Sequence, residues 1–111
     1  MKRQSKHDNR VKHLEHSLYK IGLEDIIMTA REVEMWGRTK QNPEWRLLGA
    51  MDLFVKNNNG LYVIEYKCNK RLVDHGVNQL WTANSWCEKN GYHDPHLWVV
   101  YDKDYKVYEV K

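Results

Sequence analysis

The chain holds only two cysteines, Cys68 and Cys87, among 111 residues, and no CxxC spacing joins them. Neither a disulfide framework nor a zinc ribbon organises such a sequence, and both positions read as small buried or half-buried thiols. Nowhere do 18 apolar residues run together, as a membrane-crossing helix requires. The opening residues MKRQSKHDNR lack the apolar stretch of a signal peptide. The expectation is a soluble protein of a reducing compartment, the cytoplasm. Internal repeats and low-complexity tracts are also missing. Net charge is small, +3, and names no partner by its size.

What is present suits one globular domain, 1–111, with 41% hydrophobic and 30% charged residues, a balance that argues against disorder throughout. A chain of this length buries somewhat more than ~60% of its unfolded surface, enough for a core without metal or disulfide staples. Basic residues crowd the start, where Lys2, Arg3, Lys6, Arg10 and Lys12 face a single acid, Asp8. Residues 1–8 read as a flexible basic arm that either tracks phosphates or only solubilises the chain.

From about Asn9 to Ile21, Val11, Leu14, Leu18 and Ile21 recur at helical spacing, with Asp8 or Asn9 as N-cap and Gly22 as stop. Residues Asp25 to Trp36 carry both an alternating and a helical pattern, and a strand is the favoured reading. GRTKQNPEW is a loop. Two apolar runs, 47–55 and 61–67, flank three asparagines and Gly60, the best hairpin signal in the chain. Apolar residues at 73, 77, 80, 83 and 87, followed by Gly91, predict a second helix over Val73 to Lys89. Two β-rich runs around Asp102-Lys103-Asp104 close the chain. The order is helix, three strands, helix, two strands.

An acid, one residue and a lysine place a carboxylate and an ammonium on one face of a strand, because side chains alternate with period two. Glu65-Tyr66-Lys67, Asp104-Tyr105-Lys106 and Glu109-Val110-Lys111 all fit. Only the first ends an apolar run, LYVI, where ions are costly to bury. The hairpin brings a second carboxylate to it. With Asn58-Asn59 as the loop, paired numbers sum to 117 and Asp52 faces Glu65; with Asn59-Gly60 the sum is 119 and Asp52 faces Lys67. Either way Asp52, Glu65 and Lys67 share a face with Leu48, Ala50, Phe54, Leu61 and Val63, directly opposed Cβ atoms lying ~4.5–5.5 Å apart. Two carboxylates that close need a cation or a proton between them, and hard oxygen donors favour Mg²⁺ or Mn²⁺. The plainer alternative is a cross-strand salt bridge.

This layout resembles the PD-(D/E)XK nuclease superfamily, in particular the small archaeal Holliday-junction resolvases and related short nucleases. The likeness rests on Asp52 in GAMDLFV, on Glu65 and Lys67 in YVIEYK, on Glu15 in the first helix and on Gln79 in VNQLW, and it spans roughly residues 10–102. Met51 stands where many members have proline, and Ala83 where some have tyrosine. The resemblance implies an α/β (α+β) fold with a restriction-endonuclease-like core, a mixed central sheet flanked by helices. It implies that Asp52, Glu65 and the Tyr66 carbonyl hold Mg²⁺, that Lys67 positions the attacking water, and that Glu15 and Gln79 assist. It further implies DNA as substrate, with RNA not excluded, and a homodimer that reaches two strands.

Lys70 and Arg71, just after the catalytic strand, and Arg38, Lys40 and Arg46, in the loop before Asp52, are the candidate phosphate contacts. Five tryptophans offer stacking surfaces or core packing. Two other readings compete: a nucleic-acid-binding module without catalysis, and a zinc protein through His13/His16 or His93/His96. Neither histidine pair stands beside a further ligand at an accepted spacing.

Overall fold

Ser5 starts the first element of the chain. Its hydroxyl accepts a hydrogen bond from the Asp8 N–H at 3.0 Å, satisfying one of the orphan donors of helix α1, Lys6–Glu15. The computed structural model describes residues 5–111, so Lys2 and Arg3 of the expected basic arm lie outside the described residues. Lys6, Arg10 and Lys12 belong to α1 rather than to an arm, because this cap precedes the expected Asp8 or Asn9. The helix also ends early: a 3₁₀ turn, Leu18–Ile21, carries the chain to Gly22, whose φ of 85° and hydrogen bond to Tyr19 terminate it as expected.

Five strands follow: β1 (Ile26–Gly37), β2 (Arg46–Asn57), β3 (Gly60–Lys67), β4 (His96–Tyr101) and β5 (Lys106–Glu109), with helix α2 (Val73–Lys89) between β3 and β4. They form one mixed sheet in chain order, antiparallel except for the β3–β4 pair, which α2 connects. The fold is thus α+β, a five-stranded mixed sheet with two helices, and the expected element order holds.

The helices cover opposite faces. Val11, Leu14 and Leu18 pack with Leu53, Val55, Tyr62 and Ile64 on one side. Leu80, Ala83 and Cys87 of α2 pack with Phe54, Val63, Leu97 and Val99 on the other. Each cluster contributes several side chains that are wholly removed from water, at ~1.5–3 kcal/mol apiece. Cys87 is buried there and its thiol is pushed up to about 11 by that burial. Cys68 is exposed instead, just past the end of β3.

The hairpin takes the first of the two expected registers. Asn57 pairs with Gly60 and Leu53 with Ile64, a constant sum of 117. None of the three asparagines takes a positive φ. Asn57 Oδ1 accepts from the Asn59 N–H at 2.8 Å, closing an Asx turn, and the positive φ, 134°, falls on Gly60. β2 and β1 run on past the end of β3 as a two-stranded arm. Met51 and Phe54 both pack on the α2 side, so the alternation of β2 slips at Asp52–Leu53, while on β1 Glu32 takes a φ of 52°. Leu48, Leu61 and Val63 join that side as expected; Ala50 is exposed.

Candidate functional site

The slip lies where β2 and β3 part. The next ladder donor on β3 after Ile64 is the Tyr66 N–H, and the Asp52 carboxylate accepts from it at 2.9 Å in place of a backbone carbonyl. That register, continued one step past the last observed pair Leu53–Ile64, sets Asp52 against Glu65, which is 1% exposed. Lys67 follows on the same face, its stem crossing α2 at Gly76: a Cβ there would stand 3.4 Å from Lys67 Cε and 3.1 Å from Val99 Cγ2. Glycine at 76 is what lets α2 approach the strands carrying these charges.

Two neighbouring carboxylates, Glu65 buried and Asp52 half-buried, do not both stay ionised without a cation beside them. Burial, with the neighbouring Asp52, pushes Glu65 up to about 10, while Lys67 pulls the other way. Burial also lifts Asp52, but hydrogen bonds from His7, Glu65 and the Tyr66 N–H outweigh it and hold Asp52 below the ordinary carboxylate range. In neutral solution the pair therefore shares one proton, and among the described residues the buried Oε1 of Glu65 has no hydrogen-bond partner.

His7, in the first turn of α1, completes the cluster. Its Nε2–H points between Asp52 Oδ2, at 3.2 Å, and the Tyr66 carbonyl, at 3.1 Å. The hydrogen bond to Asp52 is the main reason the imidazole is raised to about 9, against the opposing effect of burial. A positively charged ring thus lies against two of the three oxygen donors expected to hold a metal. Nothing in the helical periodicity marked His7, since its role depends on where α1 starts. The signal that was there is Ser5-Lys6-His7-Asp8, a serine followed three residues later by an acid, the spacing of an N-terminal cap.

Glu15 is placed elsewhere. It stands eight residues beyond His7, about 12 Å further along the helix axis, where it accepts from the Thr29 hydroxyl at 2.7 Å and pairs with Arg31 Nε at 3.1 Å. Its carboxylate ties α1 to β1 and is not brought to Asp52. Gln79 lies on α2 one turn beyond Gly76, and among the described residues its buried Oε1, like Glu65 Oε1, has no partner. Lys70 and Arg71 sit in a short 3₁₀ turn, Lys70–Leu72, both exposed, with Asn69 Oδ1 accepting from the Arg71 N–H at 3.0 Å.

A groove of about 610 Å³ opens beside the site, lined by His7, Tyr66 and Lys67, by the cations Lys6, Arg10 and Lys103 and by one acid, Asp102; Asp52 and Glu65 are not among its lining residues. Arg10 is clamped by two rings, its guanidinium 5.8 Å from Tyr66 and 5.2 Å from Tyr105. Arg38, Lys40 and Arg46 lie apart, in a second groove on the β1–β2 arm.

Among the described residues no three His, Cys, Asp or Glu side chains gather as a metal-binding group. The expected set numbers two carboxylates and a carbonyl oxygen, which such a group does not require, and its donor chemistry fits: hard oxygens, one of them a buried orphan, in a pair whose charge a proton and an imidazolium now offset. The zinc alternative gains no third ligand, since His93 pairs with Glu88 at 3.3 Å and His96 stacks on Tyr62 with ring centroids 4.5 Å apart. Asp104-Tyr105-Lys106 and Glu109-Val110-Lys111 lie around β5, whose residues are exposed. No helix among the described residues is long and apolar enough to cross a membrane. No family model matches the chain, and no curated protein matches it significantly.

Proposed function

We propose that the chain is a divalent-metal-dependent nuclease with a restriction-endonuclease-like core, hydrolysing phosphodiester bonds in DNA. The observation that carries this reading is the acid pair of half-buried Asp52 and buried Glu65 beside Lys67, with Glu65 pushed up by burial and by its neighbour. A stable core has little use for such a pair, because apolar residues of similar volume fill the same space at less cost. Sites that bind ions accept that cost.

Asp52, Glu65 and the Tyr66 carbonyl would hold Mg²⁺ or Mn²⁺. The ion supplies Lewis-acid charge at a phosphate oxygen and acidifies a water. To hold it, Glu65 would have to be ionised and Asp52 Oδ2 and the Tyr66 carbonyl would have to be free of His7. Lys67, steered by its packing on Gly76, brings positive charge to the phosphate as negative charge grows there. Lys6 and Lys103 line the groove beside it and orient the polyanion. Lys70 and Arg71 extend the same basic rim, Gln79 hydrogen-bonds to Lys67 or a phosphate, and a homodimer would present two such grooves to two strands.

A second reading, a nucleic-acid-binding module without catalysis, draws on His7, an internal cation that already neutralises Asp52. A cleavage panel over junction, flap, duplex and single-stranded DNA, with and without Mg²⁺, separates the two. The nuclease cuts at least one substrate only with Mg²⁺ or Mn²⁺, and Lys67→Ala loses cutting while keeping most binding. Binding with no cleavage under any divalent ion gives the second reading and sinks the first.

A further inference from the structure

We propose that the groove between the β1–β2 arm and the C-terminal half of α2 binds an unpaired nucleic-acid strand. This deepens the nuclease reading by naming the form of its substrate, and rests on that reading for the polyanion it invokes. The groove is the larger of the two, about 970 Å³, and three of the five tryptophans, Trp36, Trp45 and Trp86, line it. Trp45 is 62% exposed and Trp36 43%. An indole left in water forgoes the stabilisation that burial would bring, so aromatic surface held out along one groove is surface with a use.

Two of the three rings, Trp86 and Trp36, are held in place. The Trp86 indole N–H donates to the Trp36 carbonyl at 3.0 Å, and its ring stacks on Tyr92 with an interplanar angle of 19°. The Trp36 N–H donates to Glu34 Oε2 at 3.2 Å. The loop carrying the nearby cations is closed by reciprocal backbone bonds between Thr39 and Asn42, at 3.0 and 3.2 Å.

Charge selects the occupant. Arg38, Lys40 and Arg46 line the groove from the arm and Lys89 from the helix, and no aspartate or glutamate lines it. Flat apolar faces interleaved with cations match a chain of phosphates bearing exposed bases. In a duplex those base faces are stacked on one another and cannot meet an indole. The groove also has a direction. Leu48 lines it, and Asp52 is four residues further along β2, about 13 Å at the rise of a strand. A strand lying there is within a few nucleotides of the acid pair.

The test uses the whole chain in EDTA, with fluorescence anisotropy of a labelled fifteen-residue oligo-dT and a blunt fifteen-base-pair duplex. Oligo-dT should bind more tightly than the duplex. Trp45→Ala, at an exposed position that the fold does not need, should weaken oligo-dT at least about fivefold, the lower end for one lost base stack, and change duplex binding less than about twofold. The inference is overturned if Trp45→Ala binds oligo-dT as the parent does, if the duplex binds equally well, or if polyglutamate displaces oligo-dT as effectively as unlabelled oligo-dT. Duplex cutting with Mg²⁺ and no oligo-dT preference overturns the groove alone. An oligo-dT preference that Trp45→Ala abolishes upholds it even in a chain that cuts nothing.

Discussion

The imidazole of His7 lies 3.2 Å from the carboxylate of Asp52, so the first helix supplies a positive charge to the acid pair on the second and third strands. His7 Nε2 also meets the Tyr66 carbonyl, and an incoming ion must take both oxygens from it. His7→Ala should therefore lower the Mg²⁺ concentration needed for half-saturation several-fold and lower the melting temperature of the metal-free protein. Thermal shift across a Mg²⁺ titration reads both; an unchanged midpoint would show that the ring and the ion do not compete.

Glu65 gives stability a definite pH dependence. Its value rises from 4.5 to about 10 on folding, so between those limits the native state keeps a proton that the unfolded chain releases. Stability from this group is whole below 4.5 and is lost as pH rises toward 10. His7, raised from 6.5 to about 9, acts in the same direction over its own window. Metal-free protein should melt at falling temperature from pH 6.5 to 9, and saturating Mg²⁺ should flatten the decline. A melting temperature that rises over that range in EDTA would contradict the burial of a protonated Glu65.

Glu65→Gln keeps the shape of the protonated side chain without the need for the proton. At pH 8 the metal-free variant should be more stable than the parent by on the order of 1–3 kcal/mol, yet cut nothing. Denaturant unfolding paired with the cleavage assay checks this. A variant that is destabilised as well as inactive would mean that Glu65 is a structural ion-pair partner.

Glu15 is expected to matter for the fold and not for the chemistry. Removing it leaves Arg31 and Thr29 without their partner at the α1–β1 junction. Glu15→Ala should cost about 1–2 kcal/mol and leave cleavage, measured below the melting transition, within about twofold of the parent. Loss of cleavage at full stability would return Glu15 to the site.

Gly76 sets the distance between α2 and the strands. Alanine gains about 1 kcal/mol of helix propensity, but its Cβ would meet Val99 Cγ2 at 3.1 Å in a fully buried layer. Overpacking of that kind costs about 1–3 kcal/mol, so Gly76→Ala should be destabilising and should slow cleavage by shifting Lys67. Adding Val99→Ala should relieve the clash, making the double variant less unstable than the two single effects predict. Strict additivity in urea unfolding would count against the contact.

Helix α2 and the hairpin were readable because local chemistry fixes them. Apolar residues from Val73 to Cys87 fall on one helical stripe, and Asn57 to Gly60 admit few turns. Opposition of Asp52 and Glu65 followed by counting. His7 and Glu15 did not follow. An amphipathic stripe tells which side of a helix is buried, as Val11 and Leu14 are, but not which turn abuts the site. That depends on the Ser5 cap and on packing against β3. The slip of alternation at Asp52 was equally hidden, because it arises where one strand loses its neighbour and not from any residue's own preference.

Because the strands lie side by side in the order they are made, Asp52, Glu65, Tyr66, Lys67 and His7 all precede Cys68. The residues after Cys68 shelter them from both faces, α2 on one and Trp98, Val100 and Tyr105 beside α1 on the other. A break in the backbone between Cys68 and Leu72 would thus divide the molecule into a fragment with all five of those groups and a fragment that shelters them, two pieces whose reunion could be followed by the return of a single buried proton.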